Sequence, residues 1–449
     1  MDTPVTPATA LSVRGVSRTY ILWMVMLVYV VNYIDRTILN IILPEIKHEF
    51  ALTDFESGIL SGTSFAITYA VLGMPLAWLA DRVSRRNIIA FSMALFSAAT
   101  VFCGYAANAL QLVGARFFTG VGEAGTGPAI QSVISDLYEP KERAAALSFY
   151  SAGLNIGLLI AFFAGGQIEQ HFGWRAAFLA AGVPGLALFL LFMFTVPEPR
   201  RGHVEALADA KGAAGLLETA RVLWSNPTFR WMSIGCGLSA FGGYAGITFT
   251  PLFLSVSHGM APGPRGLALA LLTGIAGGIG TYLSGVMADR FSRNNLRWNL
   301  YVPILFVVFS VPFMPFFYLS PSLAVALAAA IIPTAAGAAY VSPAYAVTLM
   351  LVPLRMRAQA AAILLFILNI IGYGLGPPAV GELSDLLRPS LGSDSVRWAM
   401  LATAITWIIS GYCYWRASRT VVEDVKRVSG NASGPAVAPA SLVDHNTVP

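Results

Sequence analysis

The apolar residues of this 449-residue chain arrive in blocks of about twenty or more rather than in alternation, and no other feature restricts the fold as much. A helix rising about 1.5 Å per residue needs about 20 residues to cross a hydrocarbon core about 30 Å thick. Membrane-spanning strands would instead show segments of about ten residues with alternating polarity, so a β-barrel is excluded. Hydrophobic residues make up 56% and charged residues 11% of the chain, against roughly 45–50% and about 25% in a soluble domain. The chain reads as an all-α membrane protein.

Turn signals divide the apolar blocks into twelve spans, in two sets of six. The first set is expected at about 20–43, 54–80, 87–106, 110–137, 144–168 and 175–196. The second is expected at about 229–256, 264–288, 298–319, 322–352, 358–387 and 397–417. The domain reading follows: a disordered N-tail 1–18, a first half 19–196, a connector 197–228, a second half 229–418 and a disordered C-tail 419–449. Within the connector, Leu216, Ala220, Leu223 and Trp224 fall on one helical face, as in a helix lying on a membrane surface.

The net charge of +5 marks the topology of a membrane protein, not a nucleic-acid partner. Of 28 Lys and Arg, 21 fall in the tails, the connector and the loops on that same side, five on the other side and two, Arg36 and Arg116, inside spans. This excess puts both termini in the cytoplasm. Cys103, Cys236 and Cys413 stand isolated in apolar stretches, and the five histidines fall in loops or tails. No metal spacing, cofactor motif or phosphate-binding loop is present, so neither an intramembrane enzyme nor an ATP-driven pump is expected.

The halves repeat each other. Leu79-Ala80-Asp81-Arg82-Val83-Ser84-Arg85 is echoed 208 positions later by Met287-Ala288-Asp289-Arg290-Phe291-Ser292-Arg293. Arg143 and Arg357 are each followed twelve positions later by Asn155 and Asn369, an offset of 214. Two pseudo-symmetric six-helix halves joined by a loop form a transporter architecture, with the ligand site near the midplane between them.

On these residues the chain resembles the major facilitator superfamily over about 18–418. Ala80-Asp81-Arg82-Val83-Ser84-Arg85-Arg86 is similar to the superfamily's signature between spans two and three, although Ala77 and Ser84 replace usual glycines and the second copy carries Asn294 instead of a basic residue. Asn32-Tyr33-Ile34-Asp35-Arg36, Gly120-Val121-Gly122-Glu123-Ala124, Ser135-Asp136-Leu137 and Phe149-Tyr150 resemble the Spinster group. That resemblance implies amphiphilic substrates such as sphingosine-1-phosphate or lysophospholipids; membrane lipids and protons are the other expected partners, and no cofactor is expected. The expected location is a bacterial inner membrane, and the expected state is a monomer.

Asp35, Arg36, Arg116 and Glu123 lie inside spans, where a charge costs roughly 2.5–3.5 kcal/mol on insertion scales. Counting about 1.5 Å per residue from the outer edge puts Asp35 about 13 Å, Arg116 about 9 Å and Glu123 about 20 Å deep. Asp35 and Arg116 are therefore at pairing depth, and Glu123 shares the helical face of Arg116. Burial raises a carboxyl pKa and a nearby Arg lowers it, so a carboxylate that gains and loses an Arg partner binds and releases a proton. Asp35 is assigned the proton, Arg116 the switching partner and Glu123 a second proton or substrate group. Arg36 or Arg116 suits a phosphate or carboxylate headgroup, and the competing reading is a static salt-bridge cluster.

The second half offers no comparable buried charge, only glycines, aromatics and hydroxyls, which suits the apolar part of an amphiphile. Candidate substrate contacts are Asn32, Tyr33, Arg36, Arg116, Glu123, Phe241, Tyr244, Tyr345, Asn369 and Tyr373. Glu382 and Asp385 are expected to be solvated. Candidate cytoplasmic gating residues are Asp81, Arg82, Arg85, Arg86, Asp136, Arg143, Asp289 and Arg357, with Asp81 capping span eleven and Arg85 or Arg86 pairing with Asp136. The function expected is secondary active, proton-coupled transport of an amphiphilic or organic anion by alternating access. The alternatives are a multidrug or small-solute exporter of the same fold, and more remotely an uncoupled lipid scramblase.

Overall fold

The computed structural model describes residues 12–13, 16–68, 71–72, 75, 83–198 and 215–432. Asp81 and Arg82, most of the connector and the ends of both tails lie outside the described residues.

Each helix starts and stops where local chemistry allows. Span one, Arg18–Glu49, begins at Ser17, whose hydroxyl accepts from the Thr19 N–H, and ends after Lys47 and His48. Span two opens at Asp54 with a capping box in which Thr53 and Glu56 satisfy each other's backbone N–H. Span three is Arg85–Gly104, capped by Ser84, and span four is Ala109–Leu137, capped by Asn108. Spans five and six occupy 140–172 and 174–195, divided at Gly173, whose φ of 81° only glycine adopts without strain. Span seven, Pro227–His258, stops at Gly259 with φ 61°. Spans eight to ten are Pro262–Ser292, Trp298–Leu319 and Leu323–Met350, span eleven covers 357–391 and span twelve is Ser395–Ala432. Seven helical runs among the described residues are long and apolar enough to cross a membrane, two of them holding two crossings each.

Three local readings change. Residues 12–17 are not wholly irregular: Ser12–Val13 pairs antiparallel with Val16–Ser17. The last helix continues past 418 to Ala432, because Val421 is buried in the second half's core and the buried Asp424 accepts from the Thr228 N–H at the start of span seven. In the connector, Leu216–Ser225 is helical, but Leu223 faces the protein with Thr219. The face left exposed carries Leu216, Leu217 and Trp224, turned away from the contact of Thr219 with Gln359.

The hydrophobic core forks. On the face away from the chain ends (the distal face), one cluster draws on both halves, joining Ile38 to Ile46 of span one with Phe162, Phe249, Leu269 and Met400. Toward the face carrying the chain ends (the terminal face), it separates into two. One runs through spans one, three, four, five and six, the other through spans seven, nine, ten, eleven and twelve with Leu223 of the connector helix. The halves are thus sealed together at the distal face.

Two seams make that seal, and the internal repeat relates them. A Cβ on Gly58 of span two would lie 2.6 Å from the Pro377 carbonyl of span eleven, and one on Gly266 of span eight 2.3 Å from the Phe162 carbonyl of span five. Gly266 follows Gly58 by 208 positions, the offset of the repeated motif. The reciprocal contacts match as well: Gly381 closes on the Asp54 carbonyl and Gly166 on the Pro262 carbonyl, with Pro262 again 208 after Asp54. Spans two, eight and eleven each contain a π-helical stretch, Ile59–Thr63, Ala270–Ala276 and Leu368–Leu375, a backbone irregularity common at functional sites. The stretches in spans two and eleven meet, with the Thr63 hydroxyl donating to the Gly374 carbonyl at 2.8 Å.

Candidate functional site

All four intramembrane charges of the sequence converge where span one passes span four, but their partners differ from the expected ones. Arg36 donates from Nη2 and Nε to Glu123 Oε2, at 2.7 and 3.0 Å, and Asn32 stands beside the same carboxyl. Arg116, fully buried, does not bond to the Asp35 carboxyl. It grips the main chain of span one, donating to the carbonyls of Asp35 at 3.0 Å and Arg36 at 3.4 Å. The reason is rotational: consecutive residues point about 100° apart on a helix, so depth alone left open which of Asp35 and Arg36 faces span four.

Asp35 points instead toward span three. It is fully buried, beside Ser97 and Thr100. Neither its carboxyl oxygens nor those two hydroxyls make a hydrogen bond. Burying a charge without hydrogen bonds is costly, whereas burying a neutral acid costs much less.

Arg36 also marks the junction of the halves. Its guanidinium lies 4.3 Å from the Phe65 ring centroid and 5.2 Å from that of Tyr33. Phe65 meets Tyr373 of span eleven at 5.5 Å, and Tyr373 meets Tyr244 of span seven at 4.5 Å, edge to face. An aromatic row therefore leads from the charge cluster into the second half. Of the other candidates there, Asn369 donates its amide to Leu365 of its own span, Tyr345 packs on the second half's core together with Tyr244, and Phe241 packs on the distal-face core.

Two glycines of span four, Gly120 and Gly122, are close-packing positions. A Cβ on Gly122 would meet the Phe96 nitrogen of span three at 2.7 Å, and one on Gly120 Thr68 of span two at 3.0 Å.

At the terminal face Arg85 ion-pairs with Asp136 and donates to Ser132 at 2.8 Å. Both partners belong to the first half, so this pair cannot by itself hold the halves together. Glu198, unforeseen in the sequence, accepts from the backbone N–H groups of Arg85 and Arg86 at the start of span three. Arg86 reaches the Met193 carbonyl, Arg143 donates to the Ser135 carbonyl, and Asp289 and Arg357 are exposed.

The expectation that the second half lacks a buried charge is wrong. Arg265, at the start of span eight, is fully buried between Glu45 of span one and Glu169 of span five, within 3.1–3.2 Å of both carboxylates. At the other seam Asp54 is buried and bonded to Lys47, to Arg388 and to the Ser384 hydroxyl at 2.7 Å. Glu382 is exposed, but Asp385 accepts from the N–H groups of Asp54 and Phe55 and so caps span two from the opposite half. Charge counting hid these residues: each sits at a span end, where it reads as a loop charge.

Comparison with known proteins agrees with this geometry. A family model described as Major Facilitator Superfamily matches residues 25–377. An "MFS-type efflux pump" of Mycolicibacterium smegmatis is 29% identical over 89% of this chain and 93% of its own. "Protein spinster homolog 1" of Xenopus tropicalis is 24% identical over 96% and 86%. A crystal structure of a bacterial homolog to the human lysosomal transporter Spinster, inward-facing and unoccupied, superposes with a TM-score of 0.82 at 30% identity, covering 91% of this chain and 98% of that one. The chain belongs to the Major Facilitator Superfamily: it is an integral membrane transporter and not an enzyme.

Proposed function

We propose that this transporter works by alternating access, coupled to protons, on an amphiphilic or organic anion of lysolipid or sphingoid type. The observation that carries the reading is the placement of Arg36, ion-paired to Glu123 within the first half yet lying on the aromatic row that leads to Tyr373 and Tyr244 of the second. A phosphate or carboxylate headgroup competes with Glu123 for the planar guanidinium, and the apolar remainder of the substrate runs along the aromatic rings. A buried carboxylate that loses its Arg takes up a proton, which links substrate arrival to protonation. Asp35, buried and without hydrogen bonds, carries the transported proton. Arg116 acts as the strut that fixes span one against span four, which revises its role as a switching partner. The excess of basic residues on the terminal face supports reading both termini as cytoplasmic, and a monomer in a bacterial inner membrane is part of the same proposal.

Inverted vesicles carrying a dye-reported pH gradient test this reading against a panel of lysolipids, sphingoid phosphates and organic anions. Wild type dissipates the gradient with one ligand class, and Asp35→Asn loses that response while keeping downhill exchange. Retained proton-driven transport in Asp35→Asn overturns the assignment. A second reading, a small-solute exporter, is favoured by the efflux pump relative and predicts a response to dissimilar drugs instead. Lipid movement that ignores the gradient and tolerates Asp35→Asn would identify a scramblase.

A further inference from the structure

The distal seam between spans five and eight holds more acid than base. Nη2 of Arg265 has two hydrogens, yet four carboxylate oxygens of Glu45 and Glu169 lie 3.1–3.2 Å from it and the Ile41 carbonyl lies at 3.0 Å. Nε and Nη1 of the same guanidinium are buried and make no hydrogen bond. Two carboxylates that share one nitrogen are close to each other, and the side chains of Arg265 and Glu169 are 0% and 1% exposed. With both acids ionised the trio would carry a net negative charge, with Arg265 and Glu169 cut off from water and Glu45, its side chain 33% exposed, at the edge of the seam.

Among the described residues no further cation bonds to the trio, and His48 of span one and His171 of span five are exposed. On span one, Lys47 is committed to Asp54, and Glu49 to Arg175 and Trp174. On span seven, His258 stacks edge-on to Phe253. Gln170 of span five spends its carbonyl on the Gly263 N–H. Among the described residues no other charged side chain bonds to the trio.

We propose that the closed distal seam is a second proton site, in which Glu45 and Glu169 share one proton beside Arg265 and release it when the seam opens. Closure brings the two carboxylates onto one guanidinium nitrogen and cuts Glu169 off from water, and the pair then holds one proton between them. Opening withdraws span eight with Arg265, exposes both acids to water and leaves both ionised near neutral pH. The closed state then binds one proton more than the open state. Acidification favours closure and rising pH favours opening, by up to about tenfold in the opening equilibrium per pH unit for one proton. The inference extends the alternating-access reading but does not depend on Asp35.

The test uses the full chain in liposomes, spin-labelled at Leu110→Cys and Leu386→Cys, two exposed distal-face positions in different halves. The native cysteines are buried and spared. Distances are measured across about pH 5 to 9, above the ordinary carboxyl range, in an Asp35→Asn background, which removes Asp35 from the titration, and again with Glu123→Gln added, which removes the other midplane acid. Opening should rise with pH there, and Glu169→Gln should hold the seam closed at every pH, because Glu45 and Arg265 then balance. Glu45→Gln, at the more exposed acid, must flatten the response likewise and guards against misfolding of the first variant. The proposal is overturned if the response is absent in Asp35→Asn or unchanged in either Gln variant. The vesicle assay of Asp35→Asn reports on the midplane assignment separately.

Discussion

Two buried charge clusters lie along span one, one around Asp35 and Arg36 and the other around Glu45, about ten residues or roughly 15 Å apart. The first is contained in one half: Arg36 bonds to Glu123, and Arg116 braces the span one carbonyls. The second joins the halves, since Glu45 and Glu169 come from the first and Arg265 from the second. A cluster inside one rigid half persists while the halves rock, which suits a binding site. A cluster shared between halves must break in each cycle, which suits a device sensing closure. The same chemistry, acid against Arg, therefore does different work according to which rigid body supplies each partner.

The largest expected effect comes from breaking the contained cluster. Arg116→Ala removes a fully buried guanidinium and should destabilise the protein by about 1.5–3 kcal/mol for each of the two charge-assisted hydrogen bonds lost, read as a lower melting midpoint in detergent. Arg116→Lys should rescue little, because a single ammonium cannot replace the fork that spans two carbonyls. An unchanged midpoint would show that span one needs no such brace.

The shared seams should respond through conformation more than through folding. Gly266→Ala and Gly58→Ala each force a Cβ against a backbone carbonyl, disfavouring the closed distal face by about 1–3 kcal/mol. Spin-label distances across that face should lengthen in both variants, since the repeat makes the seams equivalent. A shift in only one of them would break that equivalence. Asp385→Ala strips the cap from span two and should cost about 0.5–2 kcal/mol, all of it in the closed state. Measuring the same closed fraction as wild type would count against a cap working between the halves. At the small end, Arg355→Ala removes an exposed pair with Glu218 at 3.3 Å. It should change the melting midpoint by less than about 1 kcal/mol equivalent, which high salt also removes. A larger loss would mean that the connector helix Leu216–Ser225 matters for stability.

The twelve spans, the two-half repeat and the offset of 208 are one-dimensional properties, so the sequence alone determined them. Apolar length decides what crosses a membrane, and duplicated turns repeat at a fixed interval. The four intramembrane charges were legible for the same reason, because a charge inside an apolar block stands out. Tertiary structure decided their partners: whether Arg116 meets the carboxyl or the carbonyl of Asp35 depends on the rotation and tilt of two helices, which depth counting does not contain. It alone decided that Arg265, Glu169, Asp54 and Asp385 belong to seams, since a charge at a span end is indistinguishable in sequence from one in a loop until a neighbouring half covers it. It also decided which surfaces Gly120 and Gly122 of span four pack against, because a missing Cβ serves whichever surface meets it.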